Sequence, residues 1–118
     1  SMTHTNETVD QLITMGFILS KNNPAANETT TILYKRTSFD DSKMCICNQK
    51  VPQIVIKYHH WYDASNSITF DSYAIELCQE SNLGWCNLEF YGLSGETLLQ
   101  NYDKYEKALI DAWEACWE

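Results

Sequence analysis

Positive charge is scarce in this chain. Eight Lys and Arg stand against sixteen Asp and Glu among 118 residues, a net charge of −8. Proteins that grip phosphate backbones rely on a basic surface, so direct nucleic-acid binding is disfavoured. No uninterrupted apolar run approaches the ~20 residues that span a bilayer, which argues against a membrane segment. Three histidines and four glycines leave little material for catalysis. There is no Gly-x-Ser-x-Gly elbow, no Gly-rich phosphate loop and no His-Glu-x-x-His helix. Carboxylate pairs such as Asp40-Asp41 fall in polar stretches and read as solvated turns. A non-enzymatic protein without a cofactor is expected.

A hydrophobic content of 44% with 20% charged residues is ordinary for a folded domain and argues against disorder. The length suits one domain over residues 1–118. Residues 1–6 are read as a disordered terminus, with Ser1 before Met2 a tag remnant. The first residues carry neither the basic region nor the apolar core of a secretory signal, so a cytoplasmic location is expected. Five cysteines cannot all pair within one chain, and reduced thiols are the expectation.

Four segments have strand character, flanked by two helical ones. Thr8-Val-Asp-Gln11 has the form of a capping box, and Val9, Leu12 and Ile13 follow on one face before Gly16 stops the helix. Thr29–Thr37 is rich in β-formers. In Gln53–Trp61 alternation puts Ile54, Ile56 and Tyr58 on one face and Val55, Lys57, His59 and Trp61 on the other. Ser67–Glu80 changes parity: Ile68 and Phe70 share one side, Tyr73, Ile75 and Leu77 the other. That change predicts a β-bulge near Asp71 or Ser72, or a strand buried on both sides. Leu83–Tyr91 alternates again, with Cys86, Leu88 and Phe90 opposed to Trp85, Asn87, Glu89 and Tyr91.

Ser94 is a good N-cap for a final helix of about 22 residues, roughly 33 Å long. Its stripe of Leu98, Tyr102, Tyr105, Leu109 and Trp113 faces a core. The expected fold is α+β: a four-stranded antiparallel meander, with a short N-terminal and a long C-terminal helix packed on one face.

Cys45, Cys47 and one of His59 or His60 supply ligand types that suit zinc, although Cys-x-Cys is tighter than the usual spacing and adjacent strand histidines point apart. This is the alternative reading, a small metal-binding protein; sequestration of a small molecule in an aromatic pocket is another. Cys78 and Cys86 are equidistant from Asn82, which would set them opposite each other across a hairpin, oxidised or reduced. The aromatics are the stronger lead. Trp61, Trp85 and Tyr91, rimmed by Asp71 and Glu89, are expected to form an exposed partner-binding patch, because aromatics are enriched at interaction hot spots. Trp113 and Trp117, four apart on the last helix, suggest a homodimer seam.

The run Trp85-Cys-Asn-Leu-Glu-Phe-Tyr-Gly-Leu-Ser-Gly-Glu-Thr-Leu-Leu, with the later Glu106-Lys-Ala-Leu-Ile-Asp-Ala-Trp113, resembles the endings of small acidic phage- and prophage-encoded proteins. The resemblance covers about the last 35 residues and includes no catalytic motif. It implies a binding protein that inhibits or redirects a host protein. An acidic surface would suit a basic partner, since complementary fields speed encounter.

Overall fold

The computed structural model describes residues 6–20, 30–36, 53–78 and 88–115. Helix α1 (Glu7–Thr14) leads into the two-residue strand β1 (Ile18–Leu19), followed by β2 (Thr30–Arg36), β3 (Gln53–Asp63), β4 (Ile68–Cys78) and β5 (Glu89–Leu93). Helices α2 (Gly95–Gln100) and α3 (Tyr102–Ala115) close the described chain. The strands form one antiparallel sheet in the order β1-β2-β3-β4-β5. The α+β meander therefore stands, with five strands in place of four and three helices in place of two.

Asn6, and not Thr8, caps α1: its Oδ1 accepts from Val9 N at 2.9 Å. An amide oxygen two residues earlier satisfies a first-turn amide as well as the predicted box would. The helix ends in a Schellman arrangement, Phe17 N donating to Leu12 O and Gly16 N to Ile13 O, both at 3.0 Å, with Gly16 at φ 105°. Leu12 and Phe17, the apolar pair this motif brings together, are both buried.

The single long helix is interrupted at Asn101, whose backbone leaves the helical region at φ −112°, ψ 12°. Its side-chain amide donates to Thr97 O at 3.0 Å, beside its own backbone N–H at 3.1 Å. Asparagine competes in this way with the regular helix ladder, which is why the element divides there. The apolar stripe survives the division: Leu98, Tyr102, Leu109 and Trp113 are all buried.

These helical residues pack with Val9, Leu12 and Phe17 against Leu33, Ile54, Ile56, Tyr58, Tyr73, Ile75 and Leu77. Each sheet residue in that group belongs to the same face under the observed register, so all three helices cover one side of the sheet. Trp113 is 1% exposed within this core. Burial removes it from the homodimer seam; Trp117 lies outside the described residues.

The rim of the core is partly aromatic. Phe17 meets Tyr102 edge-on at 5.6 Å, and the Lys35 ammonium lies 5.8 Å from the centre of each of these two rings. A cation over two ring faces is attracted by both, so the charged end of β2 is part of the packing.

Helices α1 and α2 touch at Gly95. A Cβ built there would overlap Thr8 Oγ1 and stand 3.1 Å from Thr8 Cβ. Thr8 is branched and anchored in α1, so relief requires the helices to separate. Gly95→Ala is expected to cost about 1–3 kcal/mol in urea unfolding, by overpacking. Thr8→Ala in the same chain should recover part of that loss; an unchanged midpoint for Gly95→Ala would show that the two helices are not held this closely.

Candidate interaction surface

Strands β3 and β4 pair without interruption from Gln53–Cys78 to Asp63–Ile68. The predicted bulge at Asp71 or Ser72 is absent, because the parity change has another cause. Strand β2 reaches only to Thr30 opposite His59, and β5 only to Leu93 opposite Tyr73. Residues 60–72 therefore extend past the sheet as a two-stranded arm among the described residues. Near the sheet Tyr73, Ile75 and Leu77 of β4 serve the helix-covered face, while Ala74 is buried on the opposite one; on the arm the apolar side chains stand on that opposite face, which is open there. Trp61 and Phe70 are cross-strand partners there, stacked at 5.3 Å with planes 17° apart. They are 40% and 39% exposed, and Ile68 beside them is 47% exposed. Scattered exposed apolar residues are usual, but a stacked pair with a third neighbour is a contiguous patch.

The tip of the arm is built by Asp63. Its Oδ1 accepts from Ser65 N at 3.0 Å and Asn66 N at 3.4 Å, and its Oδ2 from Asn66 Nδ2 at 2.8 Å. These donors, the Asn66 side chain foremost, hold its carboxyl below the usual carboxylate range. Ser67 completes the turn in the left-handed region at φ 52°.

Along the open face towards β5 the character changes. Glu76 stands directly opposite Glu89, and Lys57 Nζ lies 3.0 Å from Glu76 Oε1. Among the described residues of this group there are two carboxylates and one cation. Between the two ends lies Tyr91, 76% exposed. It occupies a genuine bulge, on β5 and not β4: Tyr91 and Gly92 together oppose Ala74, and Gly92 takes φ 69°. A left-handed glycine at such a site is the usual way to accommodate the extra residue.

The helix-side face of the arm carries a polar cluster. Asp71 Oδ1 accepts from Tyr58 Oη at 3.0 Å and lies 2.5 Å from His60 Nδ1. Since an ionised carboxylate only accepts, this contact places a proton on Nδ1. Tyr58 stacks on Tyr73 at 4.7 Å, and the Tyr73 hydroxyl takes a bond from Asn6 Nδ2 at 2.8 Å. Burial, reinforced by the Asp71 carboxylate, pushes the Tyr58 hydroxyl up to about 12. Tyr73 is raised by burial against the opposing effect of Asn6 and Thr8.

Of the residues expected to bind a partner, Trp61, Glu89 and Tyr91 lie on the open face. Asp71 lies on the other face with His60, since its cross-strand partner alternates away from Trp61. Trp85 is outside the described residues. Phe70 and Ile68 join Trp61, and the parity change in β4 was the signal for them. His59 and His60 do point to opposite faces, His59 Nδ1 sitting 3.1 Å from Thr30 Oγ1. Cys45, Cys47 and Cys86 are outside the described residues. Among the described residues no three His, Cys, Asp or Glu side chains gather as a metal site. The pairs Ile75–Phe90 and Glu76–Glu89 run one residue off the register, symmetric about Asn82, that would set Cys78 against Cys86.

The fold thus defines the class: an α+β domain whose antiparallel sheet is covered on one side by helices. Comparison with models of protein families, with curated proteins and with solved structures finds no match for this chain. No helix among the described residues is long and apolar enough to cross a membrane.

Proposed function

We propose that this is a non-enzymatic binding protein that engages a basic host protein and inhibits or redirects it. The observation that supports the reading best is the exposed Trp61–Phe70 stack, on an arm that extends past the sheet among the described residues. Flat aromatic pairs contribute contact area with little loss of side-chain freedom, which is why they recur at binding hot spots. The net charge of −8 favours a partner of opposite sign and disfavours a second copy of the same chain.

The test is comparative capture from host lysate by immobilised wild type, Trp61→Ala, Phe70→Ala and Tyr91→Ala. A protein of basic isoelectric point should be retained by the wild type and identified by mass spectrometry. Trp61→Ala should weaken its binding by about thirtyfold or more, the scale of a hot-spot truncation. The three positions are exposed, so melting temperatures should stay close to wild type. Equal capture by all four proteins would remove the aromatic face from the function.

A further inference from the structure

We propose that the open face takes an extended basic segment of the partner, with an apolar side chain at the Trp61–Phe70–Ile68 end and a cation at the Glu76–Glu89 end. The inference rests on the reading of this face as a docking surface and adds the occupant's pattern. Two features of the face lead to it.

The first is distance. Phe70 and Glu76 lie on the same face of β4, six residues apart in an unbroken ladder with β3. At about 3.3 Å per residue the two ends are roughly 20 Å apart. An extended segment has the same rise and period, so its residues i and i+6 fall on one side with that separation. Between the ends the face offers Ser72 and His59, then Tyr91 beyond Ala74, which suits small polar side chains in the middle of the segment.

The second is charge. Like charges directly opposite each other across two strands are destabilising; among the described residues Lys57 Nζ lies 3.0 Å from Glu76, while Glu89 is exposed. A cation brought by the partner would complete the group. A second copy of this chain would bring the same two carboxylates and the same net charge of −8, so it is the poorer occupant. The acidic end should govern encounter and salt dependence, and the aromatic end should govern residence time.

The test uses the full chain, labelled with nitrogen-15, and three synthetic heptapeptides of alternating Ser and Thr. One has Leu at position one and Arg at position seven; the second moves Arg to position four; the third has Glu in place of Arg. The first peptide should shift the Trp61 indole and the Phe70 and Glu89 amides. Its affinity should exceed the other two by about tenfold, and Glu89→Gln should remove that advantage. Equal binding of the Arg and Glu peptides, equal binding of the two spacings, or no shift up to about 5 mM peptide would overturn the proposal. If Trp61→Ala nevertheless lost the captured partner, the docking face itself would stand. If Trp61→Ala changed neither peptide binding nor partner capture, both readings would fall. A concentration-dependent dimer in sedimentation, abolished by Trp61→Ala, would instead assign the face to a second copy.

Discussion

Trp113→Ala is expected to lower the free energy of unfolding by about 3–5 kcal/mol, the range for deleting a buried large aromatic. The ring is among the largest fully buried side chains described and packs from α3 against the sheet. Truncation removes its transfer free energy and leaves a cavity whose walls, a helix and a sheet, cannot collapse together without breaking their own hydrogen bonds. Domains of this size are held by roughly 5–15 kcal/mol in all, so the variant should be at best marginally folded at 25 °C. Urea unfolding followed by circular dichroism measures the loss. Trp113→Phe, which refills most of the space, should recover more than half of it. A Trp113→Ala protein within about 1 kcal/mol of wild type would mean that the ring is not part of the core.

The second large effect is alkaline. Tyr58 is pushed up to about 12 by burial and by the Asp71 carboxylate, and Tyr73 and Tyr102 are raised chiefly by burial. A raised tyrosine holds its proton more tightly when folded than when unfolded. Above the unfolded value near 10, the unfolded chain releases protons first, so it binds fewer than the native state and stability falls as pH rises. The contribution is complete below pH 10 and is lost progressively as pH climbs through the folded values. For Tyr58 alone the loss should reach about 2–3 kcal/mol near pH 12. Urea midpoints between pH 9 and 11.5 should drop steeply, and less steeply in Tyr58→Phe. Identical slopes in the two proteins would show that ionised Tyr58 is tolerated by the fold.

Much of this architecture was legible because strands with one covered face must alternate. The faces assigned to Ile54, Ile56 and Tyr58, and to Leu88 and Phe90 against Glu89 and Tyr91, agree with the burial observed. What was missed lacks such a period. Strand β1 has only two residues, Ile18 and Leu19, too few to alternate, and exists because β2 offers a free edge. The break at Asn101 comes from one side chain competing for one carbonyl, within an apolar stripe that continues through it. Of the two readings of the parity change in β4, the bulge is absent from the ladder with β3, whereas burial on both faces holds over Tyr73, Ala74 and Ile75; a parity change looks the same whether the backbone slips or the core simply ends. In β4 the core ends: Tyr73 is the last buried aromatic, and Phe70 and Ile68 face out on the arm. Asp71 shares a face with Tyr73, away from Trp61.

The strand order repeats the order in sequence, and this has a kinetic consequence. Each strand meets its predecessor, so the sheet can grow one neighbour at a time without a distant segment being found first. The β3–β4 hairpin, closed by residues 64–67, has the smallest loop entropy to overcome and is the natural place for the sheet to begin. The Asn6–Tyr73 bond joins residues 67 apart in sequence and locks α1 onto a sheet already formed. Substitutions in the hairpin should therefore slow folding, whereas Asn6→Ala should mainly speed unfolding.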